Sequence, residues 1–113
     1  MLTLFHVRRL RIMMQGDSYG IQVEILKSDG SVLTTSDVSD VEIAIGSLKK
    51  TYANGEVYFA DDKWIMPVTQ KETLSLPSAY VKAQLRVKFS NGDVEGVFLG
   101  EIRLQESMSK VVL

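Results

Sequence analysis

The clearest pattern of hydrophobic and polar positions runs from Val81 to Leu104 and predicts one long β-hairpin. From Val81 to Ser90, apolar and polar residues alternate, so an extended chain presents one apolar face and one polar face. Asn91-Gly92 separates this run from a second one, and both residues tolerate the positive φ angles of a two-residue type I′ turn. The rest of the fold is expected to cover the apolar face of this hairpin.

A two-residue turn at Asn91-Gly92 fixes which residues of the hairpin pair. It pairs Phe89 with Val94, Leu85 with Phe98, Val81 with Ile102, Lys88 with Glu95 and Lys82 with Glu101. Opposite charges then lie opposite each other on the polar face. The same register puts Phe98 at the centre of the core with Trp64 nearby. It also puts Gly96 and Gly100 beside Phe98, where glycine marks a bulge or a close approach by a neighbour.

Shorter alternating segments, separated by turn-forming residues, predict further strands along the chain. They are Leu10–Met14, Tyr19–Lys27, Val41–Ile45 with a continuation through Leu48–Tyr52, and a second hairpin in which Val57 and Phe59 face Met66 and Trp64 across an Asp61-Asp62 loop. Residues 1–9 are expected to be less well ordered than the rest.

One segment carries helix signals instead. Thr69, followed by Glu72 three residues later, matches a capping box, and Pro77 ends the segment. One to two helical turns are therefore predicted from Thr69 to Ser75. Together these elements predict a single domain over residues 1–113, of the all-β class: an immunoglobulin-like β-sandwich of about seven strands with one short helix.

Composition narrows the classes of function. The chain of 113 residues contains no Cys, which excludes disulfides, iron–sulfur clusters and zinc–thiolate sites. A formal net charge of −1 argues against a general nucleic-acid binder. No apolar run approaches the length of a membrane span. From these two observations, neither a nucleic acid nor a membrane is expected as a partner.

Few residues offer catalytic or metal-binding chemistry. His6 is the single histidine, so a catalytic triad or a His-based metal site would have to be built around it, and an incidental surface position is the favoured interpretation. Asp61-Asp62 offers two carboxylates for a hard cation, but no calcium-loop spacing surrounds them, which favours a solvated turn. No catalytic residue, cofactor site or metal site is predicted.

Two other groups of residues suggest binding. Arg8, Arg9 and Arg11 form a basic run that suits a nucleic acid or an acidic partner, or simply a solvated strand edge. The four aromatic residues of the central segment suit a carbohydrate platform, or a core packed around a buried Trp; they are Tyr52, Tyr58, Phe59 and Trp64. In both cases the structural interpretation is favoured. Trp64 is predicted to be buried against the long hairpin.

Three stretches in this order carry a resemblance to a known family. They are QGDSYGIQVEILKSDGSVL, VSDVEIAIG, and the short helix with Pro77 before YVKAQLRVKFSNGDVEGVFLGEIRL. Their order resembles the immunoglobulin-like N-terminal domain of phage baseplate upper proteins, and related small tail-associated proteins of phages and prophages in Gram-positive bacteria. The resemblance covers about residues 14 to 105 and consists of turn and strand patterns.

The resemblance implies a non-enzymatic structural protein of a phage or prophage particle, acting through protein–protein contacts. Its expected partners are other phage structural proteins, with a homo-oligomer as one form of contact, and its expected location is the virion, or the bacterial cytoplasm during assembly. A sugar- or peptide-binding β-sandwich module is the alternative, acting through exposed aromatics or a free strand edge. A small hydrolase is the least favoured interpretation, because one His and no Cys leave only carboxylates, Lys and Tyr as catalytic groups.

A candidate interface follows from the predicted register. That register places Val97 and Leu99 on the otherwise polar face of the hairpin, beside Arg86, where two large apolar residues need cover. The apolar C-terminal end is expected to extend this patch; its residues are Val111, Val112 and Leu113. These five residues are the predicted contact with another subunit.

Overall fold

The computed structural model describes residues 4–7 and 12–113, with side chains from residue 14 onward. Within these residues the chain forms nine strands and one helix. They are β1 (Leu4–Val7), β2 (Ile12–Met14), β3 (Tyr19–Leu26), β4 (Val38–Ile45), β5 (Leu48–Thr51), β6 (Tyr58–Ala60), β7 (Lys63–Val68), α1 (Gln70–Ser75), β8 (Tyr80–Phe89) and β9 (Val94–Gln105).

The strands form two sheets that pack face to face, which confirms the predicted β-sandwich. One sheet has the order β1-β3-β7-β6 and is antiparallel throughout. The other has the order β2-β9-β8-β4-β5, with β2 and β9 as its parallel pair. The nine strands exceed the expected seven or so because Leu4–Val7 forms a strand that was not predicted, and because Leu48–Thr51 is a separate strand rather than a continuation of β4. The other residues of the 1–9 segment, for which lower order was predicted, lie outside the described residues.

Alternating residues of both sheets fill the space between them. The core is made of aliphatic side chains, a methionine, Phe89 and Trp64. The largest fully buried side chains are Val23, Ile25, Leu33, Val41, Ile43, Ile45, Val57, Trp64, Met66, Leu76 and Leu85. Burial of apolar side chains of this size stabilises a fold by about 1.5 to 3 kcal/mol each relative to leaving them exposed. Along β8, exposed and buried residues alternate strictly, so one face of this strand lies in the core and the other faces solvent.

The turn of the long hairpin differs from the prediction. It is a three-residue loop of Ser90, Asn91 and Gly92, closed by a 2.8 Å hydrogen bond from the Phe89 N–H to the Asp93 carbonyl. Gly92 alone of the three has a positive φ, +96°. This is the geometry of a three-residue hairpin loop that ends on a left-handed residue. The predicted two-residue type I′ turn was therefore wrong.

The longer loop shifts the first half of β9 by one residue. Gln84, Arg86 and Lys88 lie opposite Phe98, Gly96 and Val94, so the expected pairing of Lys88 with Glu95 is wrong. Between Ala83 and Gln84 the register shifts again, because Leu99 is an extra residue in β9. From Gly100 onward the predicted pairs return, including Lys82 with Glu101 and Val81 with Ile102. Gly100 has a φ of +131°, so the prediction that glycine marks a bulge holds at this position.

The shift exchanges core and surface residues on β9. Phe98 points outward and is 57% exposed, so its predicted place at the centre of the core was wrong. Val97 lies opposite Leu85 on the inner side, and both Val97 and Leu99 are half-buried against the core. Their predicted place on the polar face was wrong for the same reason. A one-residue change of register moves side chains to the other face of a sheet.

The smaller hairpin follows the prediction. Ala60 pairs with Lys63 across a two-residue loop, and Phe59 pairs with Trp64. Asp61 and Asp62 both adopt positive φ angles, 51° and 62°, as a type I′ turn requires. Trp64 is fully buried, as predicted.

The short helix is also confirmed. Thr69 is its N-cap, with a hydrogen bond of 3.2 Å from the Glu72 N–H to Thr69 Oγ1 and one of 2.9 Å from the Thr69 N–H to Glu72 Oε1. This reciprocal pair is the predicted capping box. Lys50 Nζ lies 2.8 Å from Glu72 Oε1, which ties the helix start to β5.

Replacing Gly92 with Val is expected to lower the free energy of unfolding by about 1 kcal/mol or more, because a β-branched residue resists positive φ. No atom lies within 4 Å of the position that a Cβ would take, so the cost is one of backbone conformation rather than of crowding. Denaturant melts of the variant, with Gly92→Asn as the control that tolerates this conformation, test the expectation. An unchanged transition midpoint for Val would contradict the loop assignment.

The Glu72 carboxyl is expected to make stability depend on pH. Partial burial acts to raise the pKa of Glu72, but hydrogen bonds from Lys50 and the Thr69 N–H outweigh it and hold the pKa below its ordinary value. A depressed folded-state pKa gives stabilisation that is present above the ordinary pKa and is lost as the pH falls through the folded one. Between about pH 5 and pH 3, wild type should therefore lose more stability than Glu72→Gln.

Urea melts at several pH values measure this difference. Glu106→Gln is the control, because Glu106 is largely exposed and its pair with Lys110 spans 3.7 Å. Equal acid sensitivity of wild type and Glu72→Gln would count against the role of this carboxylate.

Candidate interaction surface

Eleven outward-pointing residues of the five-stranded sheet lie in three neighbouring rows across β5, β4, β8 and β9. The register aligns Thr51, Glu42, Arg86 and Gly96 in one row, Lys49, Ala44, Gln84 and Phe98 in the second, and Asp40, Lys88 and Val94 in the third. We call these eleven residues the outer face. Because each belongs to a hydrogen-bonded ladder, their Cα positions are fixed by the sheet.

Charge and hydrophobicity follow the strands rather than the rows. The β4 column carries the carboxylates of Asp40 and Glu42, and the β8 column carries the cations of Arg86 and Lys88. The β9 column contributes Val94 and Phe98, which are 51% and 57% exposed. An acidic, a basic and an apolar column therefore lie side by side on one face.

Gly96 gives Arg86 its place between the two apolar residues of β9. A Cβ at Gly96 would lie 3.3 Å from Arg86 Cγ, which is tighter than ordinary van der Waals contact, and 3.5 Å from the Leu85 carbonyl oxygen, which is an ordinary contact. The Arg86 stem is thus packed beside Gly96 of β9, while its guanidinium Nη1 lies 4.0 Å from Glu42 Oε1 of β4. The Arg86 side chain remains 54% exposed. The predicted close approach of a neighbour to a glycine is found here.

A shallow depression of about 160 Å³ lies on the outer face and is lined by Asp40, Glu42, Arg86, Val87, Lys88 and Val94. Asp40 Oδ1 accepts hydrogen bonds from the Val41 and Ala53 N–H groups, at 2.8 and 2.9 Å, which holds this carboxylate in place. Small-molecule sites usually enclose about 300 to 1,000 Å³. The outer face therefore suits contact with a surface better than enclosure of a small ligand.

The central aromatic residues do not form a binding platform. The ring of Trp64 is edge-on to Tyr52 at 5.2 Å and tilted against Phe59 at 5.0 Å between centroids. Trp64 Nε1 donates to the Leu33 carbonyl at 3.1 Å in the interior. Tyr58 on β6 is 48% exposed, and the ring contacts of this cluster join Trp64 with Tyr52 and Phe59 instead. The carbohydrate-platform interpretation of the four residues is therefore wrong, and the core interpretation holds.

Aspartate side chains accept backbone hydrogen bonds at three turn or loop positions. Asp29 accepts from the Ser31 N–H at 2.9 Å, Asp37 from the Thr34 N–H at 2.8 Å, and Asp40 as described above. Hydrogen bonds from Ser31 hold the pKa of the Asp29 carboxyl below its ordinary value. Among the side chains described, those from residue 14 onward, no three His, Cys, Asp or Glu gather as a metal ion would need.

The basic run and the single histidine, both named above as candidate binding or catalytic residues, lie at the N-terminal end of the chain. Arg8, Arg9 and Arg11 lie outside the described residues, and of His6 only the backbone is described, opposite Glu24 in the β1–β3 ladder. The part of the chain that the structure covers has no helix long and apolar enough to cross a membrane.

The five residues of the predicted interface are not brought together. Val97 and Leu99 are half-buried against the core, whereas the C-terminal residues Val111, Val112 and Leu113 are exposed. The tail lies beside α1, where the Leu113 N–H donates to Gln70 Oε1 at 2.8 Å.

Sequence reasoning missed the exposed apolar pair of the outer face, Val94 and Phe98. Both were assigned to the core because the hairpin loop was taken as two residues long. Gly100 was the available signal, since a bulge there returns the second half of β9 to the predicted pairing while leaving Phe98 on the outside.

The fold and this face define a β-sandwich that presents a charged and aromatic sheet surface. No protein-family model and no curated protein matches the chain. Among solved structures, a mutant of the SrpA adhesin from Streptococcus sanguinis is similar, with a TM-score of 0.53 and 13% identity. The match covers 96% of this chain and 61% of that chain, so this chain spans less than two thirds of the adhesin. At this identity the likeness shows the fold alone.

Proposed function

We propose that the chain is a non-enzymatic structural protein of a phage or prophage particle, and that its outer face makes protein–protein contacts. One observation carries the proposal: Val94 and Phe98 are exposed on a rigid sheet, directly beside the cations of β8. The order of turns and strands over residues 14–105, which resembles small phage tail-associated proteins, supports the assignment to a particle.

The chemistry of the outer face matches that of protein interfaces. Aromatic residues and Arg are enriched at such interfaces and dominate their binding energy, usually near the centre of the contact. Phe98 and Arg86 lie on neighbouring strands, in adjacent rows, with Gly96 leaving space for the Arg86 stem. A flat sheet face with two apolar residues and fixed charges can be covered by another protein surface without rearrangement of its backbone.

The proposed partners are other structural proteins of the same particle, met in the bacterial cytoplasm during assembly and retained in the virion. Proteins encoded by genes that lie beside this one are the first to test. Co-expression with each of them, followed by purification of the complex, should recover at least one stable pair.

The Phe98→Asp variant is expected to weaken that pair by about tenfold or more, because it places a charge at an apolar contact. Tyr58→Asp is the matched control, since Tyr58 is similarly exposed on the opposite sheet. Both variants should keep the wild-type circular dichroism spectrum. Failure of every neighbouring gene product to bind, or equal binding by Phe98→Asp, would contradict the proposal.

A sugar- or peptide-binding module remains the second candidate, and the outer face gives it one supporting observation. The exposed ring of Phe98 lies opposite Gln84 and near Arg86, so a stacking surface is flanked by hydrogen-bonding groups. Nuclear magnetic resonance titrations with sugars and short peptides distinguish the candidates. Saturable shifts at Phe98 that vanish in Phe98→Ala would favour this module over a particle protein.

A further inference from the structure

We propose that the outer face binds the outer face of a second copy of this chain, about a twofold axis that runs parallel to the strands between β4 and β8. The inference rests on the proposed function, because it names a second copy of the chain as one partner of the same surface. It follows from the order of charges across the sheet and from the register that aligns them in rows.

A twofold axis in this position has a simple geometric effect. It leaves every residue at its own level along the strand direction, but it exchanges the columns on either side of the axis. The β4 column of one copy then covers the β8 column of the other, and β5 covers β9. Each row of the outer face is therefore placed over the same row of the second copy, and each contact between two residues occurs twice, as in closed symmetric dimers.

The exchange matches opposite charges at two levels. Glu42 and Arg86 share a row, so Glu42 of each copy faces Arg86 of the second copy. Asp40 and Lys88 share another row and face each other in the same way. Twofold symmetry doubles both contacts, which gives four opposite-charge contacts from two pairs of residues.

The remaining row brings a cation over an aromatic ring. Lys49 and Phe98 lie at opposite ends of one row, so the axis places the Lys49 stem of one copy over the Phe98 ring of the second. An ammonium over an aromatic face is attracted by the ring electrons, and its methylene stem covers apolar surface. Ala44 and Gln84, in the middle of this row, leave room for the ring.

Because long charged side chains must be partly desolvated in this contact, the dimer is expected to be weak and in exchange with the monomer. Sedimentation equilibrium from about 1 µM to about 1 mM should show a reversible monomer–dimer equilibrium for wild type. Raising the salt concentration should shift it toward the monomer, because the contacts are ionic.

A charge-reversal experiment tests the pairing itself. Glu42→Arg gives the face two cations in that row, and Arg86→Glu gives it two anions, so each variant alone should dimerise about tenfold or more weakly than wild type. An equimolar mixture of the two variants should form a heterodimer, because every contact of that row then joins opposite charges. The double variant, with both changes in one chain, restores the pattern and should dimerise like wild type.

Two controls separate this effect from others. Lys71→Glu changes the net charge as Arg86→Glu does, but on an exposed residue of α1, and should leave the dimer unchanged. Thermal melts check that each variant folds, since Glu42 and Arg86 also pair within one chain at 4.0 Å. If either single variant fails to fold, the double variant, which keeps this pair, carries the test.

Three results would overturn the inference: a wild type that is monomeric throughout the range, a mixture that associates no better than its components, or a double variant that stays monomeric. None of them bears on binding of Phe98 to products of neighbouring genes. Failure of the self-contact is therefore distinguishable from failure of the proposed function.

Discussion

Replacing Trp64 with Ala is expected to lower the free energy of unfolding by about 3 to 5 kcal/mol, as large-to-small changes of buried aromatics do. Trp64 has no exposed surface, and its ring contacts Tyr52 and Phe59 at centroid distances of 5.2 and 5.0 Å. Its indole N–H also donates to the Leu33 carbonyl at 3.1 Å. Truncation would remove the aromatic contacts, leave a cavity, and leave the buried Leu33 carbonyl without this hydrogen-bond donor.

Denaturant melts followed by circular dichroism measure the loss for Trp64→Ala. Tyr58→Ala, on the neighbouring strand but about half exposed, is the control and should stay within about 0.5 kcal/mol of wild type. Because Trp64 is the single tryptophan, native fluorescence should also be shifted to the blue of a solvated indole. Water-like emission, or a loss below about 1 kcal/mol, would contradict the buried placement.

The second large effect is expected for Thr73→Val, which should lower the free energy of unfolding by about 2 to 3 kcal/mol. Thr73 is fully buried, and its hydroxyl accepts from the Gly16 N–H at 2.9 Å and donates to the Asp17 carbonyl at 2.7 Å. Valine has nearly the same shape, so the variant removes these bonds without changing the volume. The Gly16 N–H and the Asp17 carbonyl would lose this partner in a part-buried contact, and polar groups withdrawn from water are costly to leave unpaired.

The hydroxyl of Thr73 fastens α1 to the turn that precedes β3, so the loss should also have a local signature. Amide hydrogen exchange at Gly16 should be faster in Thr73→Val than in wild type. Thr73→Ser keeps the hydroxyl and loses a methyl group, so it should retain the slow exchange. Equal exchange rates in wild type and Thr73→Val would show that another group satisfies the Gly16 N–H.

Local signals in the sequence were sufficient for the helix and for most strands. The Thr69 and Glu72 pair predicted the capping box because both of its hydrogen bonds join residues three apart in the chain. The alternation of apolar and polar residues along β8 predicted its buried and exposed faces, because this signal also lies within one short segment. The contact of Thr73 with Gly16 and Asp17 joins residues more than fifty positions apart, and nothing local to the helix indicates it.

The length of the loop in the long hairpin, and with it the register of β9, could not be predicted from the sequence. Asn91-Gly92 suits a two-residue loop in which both residues have positive φ, and it equally suits a three-residue loop that ends on Gly92. The second was found, and the one-residue difference decides whether Phe98 is in the core or on the outer face. The candidate surface could therefore not be predicted, because its apolar column depends on this choice.

The extra residue in β9 has a consequence for how related chains should be recognised. Ala83 pairs with Gly100 and Gln84 with Phe98, so Leu99 has no place of its own in the ladder. A homologue that lacks this residue would keep every other cross-strand pair, with a straighter and less twisted strand. A one-residue gap within a strand, usually taken as a sign of misalignment, is therefore the pattern expected at this position among true homologues.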